Sequence, residues 1–335
     1  MLKKNKRYLA IFILSYLLIA LAIILFKRWD IFPWIGDCNP RGYKNGHFMA
    51  YCHSTKYGDY EHWAYWHQSD PVSIDAVRQS DVLFLGNSRT QYAFSTRAVS
   101  DYFQHTGIRH YVFGFGMGSY MPVPEKMMKK YQLKPKVLVI NTDPFFSDTL
   151  NETNQQMLKN DFKTRWEFSA KRYMQKLQQR ICSSGKKGEY LYNALCLGTG
   201  ETLYREPEHG HWNTNYYRPN KRIPATYTDA LLPSLGKTLP IAERFIAETG
   251  LEKSCIILTV TPRKNTPLKF ARQLGQKLGT PFVFPMIDGL VTVDESHLDK
   301  TGAEKWSRAF LAKAAPIIEA CSRKSRSLAS VGDTP

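Results

Sequence analysis

The 335-residue sequence lacks the residue patterns of several common metal and cofactor sites. None of its six cysteines has the spacing of a metal ligand, and its closely spaced histidines come without the acidic or cysteine residues that would complete a ligand set. The glycine-rich run Phe113–Gly118 lacks the full dinucleotide-binding pattern and the acidic residue about 20 positions further on. We therefore expect neither a resident metal nor a cofactor.

Acidic residues are also scarce, with 29 Asp and Glu against 46 Lys and Arg, so the formal net charge is +17. In a cytosolic protein such a charge would favour nucleic acid as a partner. An exported domain rarely meets nucleic acid. The partners that we expect are anionic lipid headgroups or acidic glycans, unless the basic residues only solvate the surface.

The run Tyr8–Phe26 contains nineteen residues and no charge. At about 1.5 Å per residue it would span a hydrocarbon core of about 30 Å. A cleaved signal peptide would have a shorter apolar run and a small-residue cleavage site, whereas Lys27–Asp30 follows this one. The basic N-terminus predicts a single-pass helix in the cytoplasmic (inner) membrane, with residues 1–30 as stub and anchor and the rest periplasmic.

The cysteines agree with an extracytoplasmic location, because disulfides persist in oxidising compartments. Neighbouring cysteines predict the pairs Cys38–Cys52 and Cys182–Cys196. For Cys255, which begins an apolar run, a buried free thiol stays open as the alternative. All the cysteines follow the apolar run: Cys38, Cys52, Cys182, Cys196, Cys255 and Cys321.

The rest of the chain divides into segments of different composition. Residues 31–80 are rich in aromatic residues, His, Gly and Pro without a regular period, which predicts an irregular strap. Residues 81–320 form the predicted main domain, with an insertion at about 150–240 that would shape substrate access or lie on the surface as a decoration. Residues 321–335 are a polar tail for which we expect disorder.

Within the main domain, short apolar runs alternate with stretches long enough for helices. Continuous apolar runs are typical of strands buried on both faces of a parallel sheet. The pattern predicts a three-layer α/β/α fold with a parallel sheet, closed by a helix from near Asp299 to Ile317. The runs are Val82–Leu85, Tyr111–Phe115, Val137–Ile140, Ile256–Val260 and Phe282–Ile287.

Ser88 follows the first of these runs directly, and Asp294 and His297 lie between the last run and the final helix. Sites of doubly wound folds form at such carboxyl ends of strands. A serine hydroxyl needs a base within hydrogen-bond reach and a third group that holds the tautomer of that base. We predict that Ser88 is the nucleophile, His297 the base and Asp294 its orienting carboxylate.

Two blocks resemble the GDSL/SGNH hydrolase superfamily: Gly86-Asn87-Ser88 after the first strand, and Asp294-x-x-His297 before the final helix. The resemblance covers about residues 81–315 and implies a flavodoxin-like fold. Gly86-Asn87-Ser88-Arg89-Thr90 and Asp143-Pro144-Phe145 are similar to membrane-tethered members that modify bacterial polymers, such as alginate O-acetyltransferases and D-alanyl transfer proteins.

Acyl transfer also needs donors for the oxyanion, each worth about 3–4 kcal/mol when preorganised. The backbone N–H of Ser88 is one candidate, and the resemblance implies Gly116 as another. The family's Gly-x-Asn-Asp block reads Asn141-Thr142-Asp143-Pro144 here. Either Asn141 supplies the third donor, or Asp143 occupies its position and Arg89 replaces the donor; a carboxylate there would need protonation or pairing.

The function that we expect is O-acyl transfer to an envelope or exported polysaccharide through an acyl-serine. A carbohydrate acetylesterase with the same site is the close alternative. A third hypothesis is a non-catalytic glycan-binding or assembly protein, disabled by the change at Asn141 and Asp143. The expected partners are a glycan or acyl-ester substrate, the membrane through the N-terminal helix, and a membrane protein that donates acyl groups.

Overall fold

The structure is a computed structural model that describes residues 2–28, 38–53, 58–116, 118–184, 190–198, 200–215, 221–229 and 234–330. Its helices in chain order are α1 Leu2–Arg28, α2 Glu61–Trp66, α3 Pro71–Gln79, α4 Ser88–Phe94, α5 Arg97–Thr106, α6 Pro122–Tyr131, α7 Glu152–Lys159, α8 Phe162–Ser183, α9 Tyr190–Cys196, α10 Leu235–Thr249, α11 Leu268–Leu278 and α12 Lys300–Ser330. Its strands are β1 Phe48–Cys52, β2 Gly58–Asp59, β3 Val82–Gly86, β4 His110–Gly114, β5 Val137–Asn141, β6 Thr202–Arg205, β7 Trp212–Asn213, β8 Ile223–Pro224, β9 Ile256–Thr259 and β10 Val291–Thr292.

The predicted transmembrane helix is contradicted. The run Tyr8–Phe26 lies within α1, but among the described residues no helix is both long and apolar enough to cross a membrane. The fold-class prediction is therefore wrong, since it joined the α/β domain to a membrane-spanning helix.

The chain forms two compact units. The smaller unit contains α1, α8 and α9, and the larger one contains the parallel sheet with the helices around it. The smaller unit comprises residues 1–40, 52–58 and 160–201, and the larger one residues 41–51, 59–159 and 202–335.

Two disulfides lie in the smaller unit. Cys182 near the end of α8 is bonded to Cys196 at the end of α9, and Cys38 is bonded to Cys52. Both predicted neighbour pairs are confirmed. The Gln178 side chain of α8 is fully buried and donates a hydrogen bond of 2.9 Å to the carbonyl of Cys38. Covalent bonds and buried polar contacts thus hold this unit, in whose described part few large apolar side chains are buried.

The larger unit is built on a four-stranded parallel sheet in the order β4-β3-β5-β9. Four of the five apolar runs form these strands, and every residue of the four is buried. The register pairs Leu83 with Tyr111 and with Leu138. The carboxyl ends of β3, β5 and β9 therefore meet at one edge of the sheet.

The fifth run, Phe282–Ile287, is not a strand, and the prediction is wrong there. Only Phe282 makes an isolated parallel bridge, to Leu258 of β9. The backbone N–H of Leu258 bonds the carbonyl of Pro281, and that of Val283 bonds the carbonyl of Leu258. Pro285 lacks the N–H that a longer ladder would need, so the pairing ends early.

Both faces of the sheet are covered, because alternate residues of each strand point to opposite sides. One face buries Leu83, Leu85 and Ile140 against side chains from α3, α6, α10 and α11. The other buries Val82 and Phe84 against α4, α5 and α12. This is why the strand runs are apolar throughout rather than alternating.

The final helix is longer than predicted. It begins at Lys300, as expected, but continues to Ser330, so the polar stretch 322–330 is helical, while 331–335 lies outside the described residues. Cys321 of α12 is bonded to Cys255, which precedes β9. This bond removes the free-thiol alternative for Cys255. It connects the last helix to the start of the edge strand.

Residues 31–80, expected to be irregular, contain β1, β2, α2 and α3 in their described part. In α3, Pro71 occupies the first turn, and Ile74 and Val77 are buried at a helical spacing. The segment is too short for this period to stand out among its aromatic residues. In the predicted insertion, β6 and β7 form a hairpin-like antiparallel pair, and a second sheet has the order β2-β1-β6-β7.

A fully buried ion pair joins these segments to the parallel sheet. Arg205 at the end of β6 donates from Nε to Glu61 Oε2 at 2.7 Å. Its other nitrogens bond the carbonyls of Val112, at 2.8 Å, and Gly114 on the edge strand β4. Burial alone would lower the pKa of Arg205, but Glu61 reverses this and raises it. The pair thus covers the open edge of β4.

Replacing Glu61 with Ala leaves the Arg205 guanidinium buried without its counter-charge, which typically costs about 3–5 kcal/mol. We expect this loss in the free energy of unfolding, measured by urea titration. The control is Asp75→Ala, because Asp75 pairs with Arg78 at 3.9 Å on the surface, where such pairs contribute less than about 1 kcal/mol. Equal losses in the two variants would contradict the role given to the buried pair.

Candidate active site

The turn after β3 presents Ser88 at the first position of α4. Asn87 caps this helix: its Oδ1 accepts from the backbone N–H of Arg89 at 3.0 Å. The amide nitrogen of Asn87 donates to the carbonyl of Asp143 at 2.9 Å. The cap therefore ties the nucleophile turn to the end of β5.

Two glycines let the backbones approach closely at this turn. A Cβ on Gly86 would lie 2.0 Å from Thr90 Oγ1, and the φ of Gly86 is +155°. A Cβ on Gly114 would lie 2.8 Å from the carbonyl oxygen of Asn87. Any larger residue at either position would push α4 away from the sheet, and Ser88 with it.

The three predicted catalytic residues come together. His297 Nε2 is 2.8 Å from Ser88 Oγ, and His297 Nδ1 is 2.7 Å from Asp294 Oδ2. When Nδ1 carries the ring proton and donates a hydrogen bond to the carboxylate of Asp294, Nε2 is unprotonated and can accept the hydroxyl proton of Ser88. The arrangement has the geometry of a nucleophile, a general base and an orienting acid.

Asp294 is held by its own loop. Its Oδ1 accepts from the backbone N–H groups of Ser296, at 3.0 Å, and His297, at 2.8 Å. Burial raises the pKa of Asp294, but the hydrogen bonds and the charge of His297 outweigh it and lower the pKa to about 2. Glu295 adopts a φ of +69°, which closes the turn. The carboxylate is thus charged and fixed at neutral pH.

An aromatic ring that the sequence analysis missed packs on His297. The ring of Tyr92 lies 4.4 Å from that of His297, centroid to centroid, and Tyr92 is 8% exposed. Tyr92 is four residues after Ser88 on α4, so both side chains lie on one face of the helix. The spacing of four residues from Ser88 is the sequence feature that could have indicated a role for Tyr92 at the site.

Asp143 is paired with two arginines at the carboxyl edge of the sheet. Arg89 NH1 lies 3.5 Å from Asp143 Oδ2, and Arg263 Nε bonds the same oxygen. Arg89 also donates from Nε to Ser296 Oγ at 2.9 Å, next to His297. Burial lowers the pKa of Arg89, and the charge of Asp143 opposes this.

Arg263 was also missed by the sequence analysis. It follows β9 by a few residues, so the rule that polar side chains gather after parallel strands would have included it. A carboxylate near an oxyanion would repel it. The pairing with Arg263 and Arg89 reduces this repulsion, because it compensates the negative charge of Asp143 on two sides.

The oxyanion candidates differ in availability. Asn141 is buried, its Oδ1 accepts from the backbone N–H of Thr261 at 3.2 Å, and its Nδ2 lies 3.3 Å from Thr261 Oγ1. Its side chain therefore joins β5 to the chain after β9. Gly116 lies two residues past β4, which runs beside β3. Ser88 is the first residue of α4, where backbone N–H groups lack helical partners.

Elsewhere in the described ranges, no group of three or more His, Cys, Asp or Glu residues is arranged to hold a metal ion. The Nε2 atoms of His110 and His211 lie 3.2 Å apart. Burial and the neighbouring charges of His209 and Arg205 lower the pKa of His211 to about 3. The two rings thus share a hydrogen bond as neutral imidazoles.

Comparisons with known proteins do not assign the chain to a family. No family model, no curated protein and no solved structure matches it. The resemblance to the GDSL/SGNH superfamily therefore stays a prediction, and the site geometry carries the functional argument.

The pKa of Asp294 predicts a pH-dependent contribution to stability. A carboxyl whose pKa falls from 3.8 to about 2 on folding stabilises the native state above about pH 4 and loses this contribution as the pH falls towards 2. After allowance for partial exposure of Asp294, we expect the free energy of unfolding of wild type to exceed that of Asp294→Asn by about 1–2 kcal/mol at neutral pH. Urea unfolding at several pH values should show the gap narrowing in acid; a constant gap would contradict it.

The pairing of Asp143 with Arg263 predicts strong coupling between them. In a double-mutant cycle with Asp143→Asn and Arg263→Gln, we expect a coupling energy of about 1–3 kcal/mol, because the two groups are in contact and largely shielded. The matched surface pair is Lys264 with Glu295, 3.0 Å apart and about half exposed, for which we expect less than about 1 kcal/mol. Indistinguishable couplings would refute the interpretation.

Proposed function

We propose that this chain is a serine acyl-ester enzyme and that it transfers an acyl group to a glycan hydroxyl. The observation that carries the proposal is the continuous relay from Ser88 Oγ through His297 to Asp294, with contacts of 2.8 and 2.7 Å. The three side chains come from two loops more than 200 residues apart in the sequence. Such a relay is what activation of a serine hydroxyl requires.

In the first step, Ser88 Oγ attacks the carbonyl carbon of an acyl ester while its proton passes to His297 Nε2. The carbonyl oxygen becomes an oxyanion. When the tetrahedral intermediate collapses, the bond to the leaving alcohol breaks, and His297 returns the proton to that alcohol. Asp294, already charged, stabilises the imidazolium without taking its proton.

In the second step, an acceptor hydroxyl gives its proton to His297 and attacks the acyl-serine. The bond to Ser88 breaks, and Ser88 recovers the proton from His297. A glycan hydroxyl yields an acylated glycan, and water yields the free acid. Transfer and hydrolysis therefore use the same groups and differ only in which acceptor reaches the acyl-serine.

Backbone groups are the best-supported oxyanion donors. The N–H of Ser88 lies at the start of α4, and the N–H of Gly116 belongs to the segment after the neighbouring strand. Asn141 and Arg89 already bond Thr261, Ser296 and Asp143. Each preorganised donor would lower the barrier by about 3–4 kcal/mol.

The composition supports a glycan acceptor and an extracytoplasmic location as parts of the proposal. A net charge of +17 suits an anionic polymer. Three disulfides suit an oxidising compartment, where small reductants do not cleave them. The carbohydrate acetylesterase remains the alternative from the same chemistry, with water as the acceptor.

The proposal predicts that Ser88→Ala abolishes ester cleavage. With p-nitrophenyl acetate, we expect the rate to fall at least about a thousandfold, to background. Asp294→Asn, which leaves His297 without its orienting carboxylate, should also lose at least about a thousandfold, because the imidazole no longer has a fixed tautomer. The matched control is Ser169→Ala, an exposed serine on α8, which should keep the wild-type rate.

A fluorophosphonate should label wild type and Ser169→Ala on the peptide that contains Ser88, but not Ser88→Ala. If wild type cleaves the ester only at the background rate and is not labelled, the enzyme proposal is refuted and the non-catalytic hypothesis is favoured. With an oligosaccharide acceptor, mass spectrometry of the products then separates transfer from hydrolysis.

A further inference from the structure

A cavity of about 440 Å³ lies beside the catalytic histidine. It shares Tyr92 with the site, since the ring of Tyr92 packs on His297 and also lines the cavity. Val293 and Leu298, on either side of the loop that carries Asp294 and His297, line it as well. Its volume lies within the range of about 300–1,000 Å³ typical of ligand sites. Only the side chain of Tyr92 would separate a ligand in this cavity from His297.

The cavity has an aromatic wall and polar surroundings. Trp212 and Tyr92 form the wall, with their rings edge to face at 6.0 Å. Their polar neighbours include Ser95, Thr96 and Asn215. Ser95 Oγ and Thr96 Oγ1 have protein partners, Gln91 Oε1 at 3.1 Å and Ser307 Oγ at 2.8 Å, so the lining is polar and largely hydrogen-bonded. A sugar ring, with an apolar face and several hydroxyls, suits such a lining.

The charges that line the cavity are unequally compensated. The carboxylate of Asp299 accepts from Arg222 at 3.0 Å and from the N–H of Gly302 at 2.6 Å, so it caps α12. Glu304 pairs with Arg308 at 2.8 Å. Both carboxylates of the lining are therefore already neutralised.

Lys300 differs from them. Its Nζ bonds only a neutral group, Asn215 Oδ1, at 2.8 Å, and no carboxylate of the described residues lies within ion-pair distance. It is the first residue of α12, where the helix dipole adds positive potential. An anion that enters the cavity would meet an ammonium group with no counter-charge of its own.

We propose that this cavity is a subsite for a sugar ring that carries a negative charge, a carboxylate or a phosphate, with Lys300 as its counter-ion and the Tyr92–Trp212 wall behind the ring. The inference rests on the proposed function, because it assigns the part of the acceptor next to the reacting hydroxyl. It goes beyond that function in naming where the charged ring of the acceptor binds and the residue that recognises its charge.

The test measures binding without turnover, in the full-length chain with Ser88→Ala, by isothermal titration calorimetry. The probes are an oligogalacturonate, a glucose 1-phosphate and a malto-oligosaccharide of the same length as the first. We expect Lys300→Met to weaken binding of an anionic probe about tenfold, the effect of losing one charge-assisted hydrogen bond. Lys300→Arg should retain binding, and added salt should weaken it.

The matched control is Lys313→Met, another exposed lysine on α12 that does not line the cavity; it should bind as the parent does. Binding of the uronate or of the sugar phosphate that depends on Lys300 supports the subsite and identifies its anion. Equal binding of the neutral and charged probes, equal loss in the Lys313 variant, or no binding would overturn it. Ester cleavage by wild type is measured separately, so failure of the subsite and failure of the enzyme proposal are distinguishable.

Discussion

The ion pairs of Asp143 are the interaction on which the site geometry depends. Asp143 follows β5, Arg89 is adjacent to Ser88 after β3, and Arg263 follows β9, so one carboxylate connects three strand ends. Because Arg89 also bonds Ser296, beside His297, the same network joins the turn that carries Ser88 to the loop that carries His297. The distance of 2.8 Å between Ser88 Oγ and His297 Nε2 needs such cross-links, because 209 positions of sequence separate the two residues.

The buried pair of Arg205 and Glu61 has a comparable role along the outer strand β4 of the sheet. An edge strand exposes carbonyls that need donors, and Arg205 supplies them to Val112 and Gly114. The segment after Gly114 leads to Gly116, a candidate oxyanion donor. The segments around β1, α2 and β6, which belong to residues 31–80 and to the predicted insertion at about 150–240, thus support the strand from which part of the candidate site extends.

The meeting of Ser88, Asp294 and His297 could be predicted because it depends on local rules. Ser88, Asp294 and His297 lie next to recognisable strand and helix boundaries, where parallel α/β sheets form their sites. Arg263 and Tyr92 could not be assigned with equal ease, since their roles depend on partners far away in sequence. Asn141 was considered as a donor from its position alone, yet its side chain is bonded to Thr261.

The four buried strands, the serine and histidine loops and two of the three disulfides follow from sequence patterns alone, because apolar runs, turns and neighbouring cysteines act over short distances. Such patterns were misleading for the membrane helix, the strand at 282–287 and the irregularity of 31–80. The pairing of Asp143, the ring over His297 and the cavity at Lys300 emerge from the folded chain and not from local patterns. These depend on where strand ends meet in space, and the summed packing of the whole sheet sets those positions.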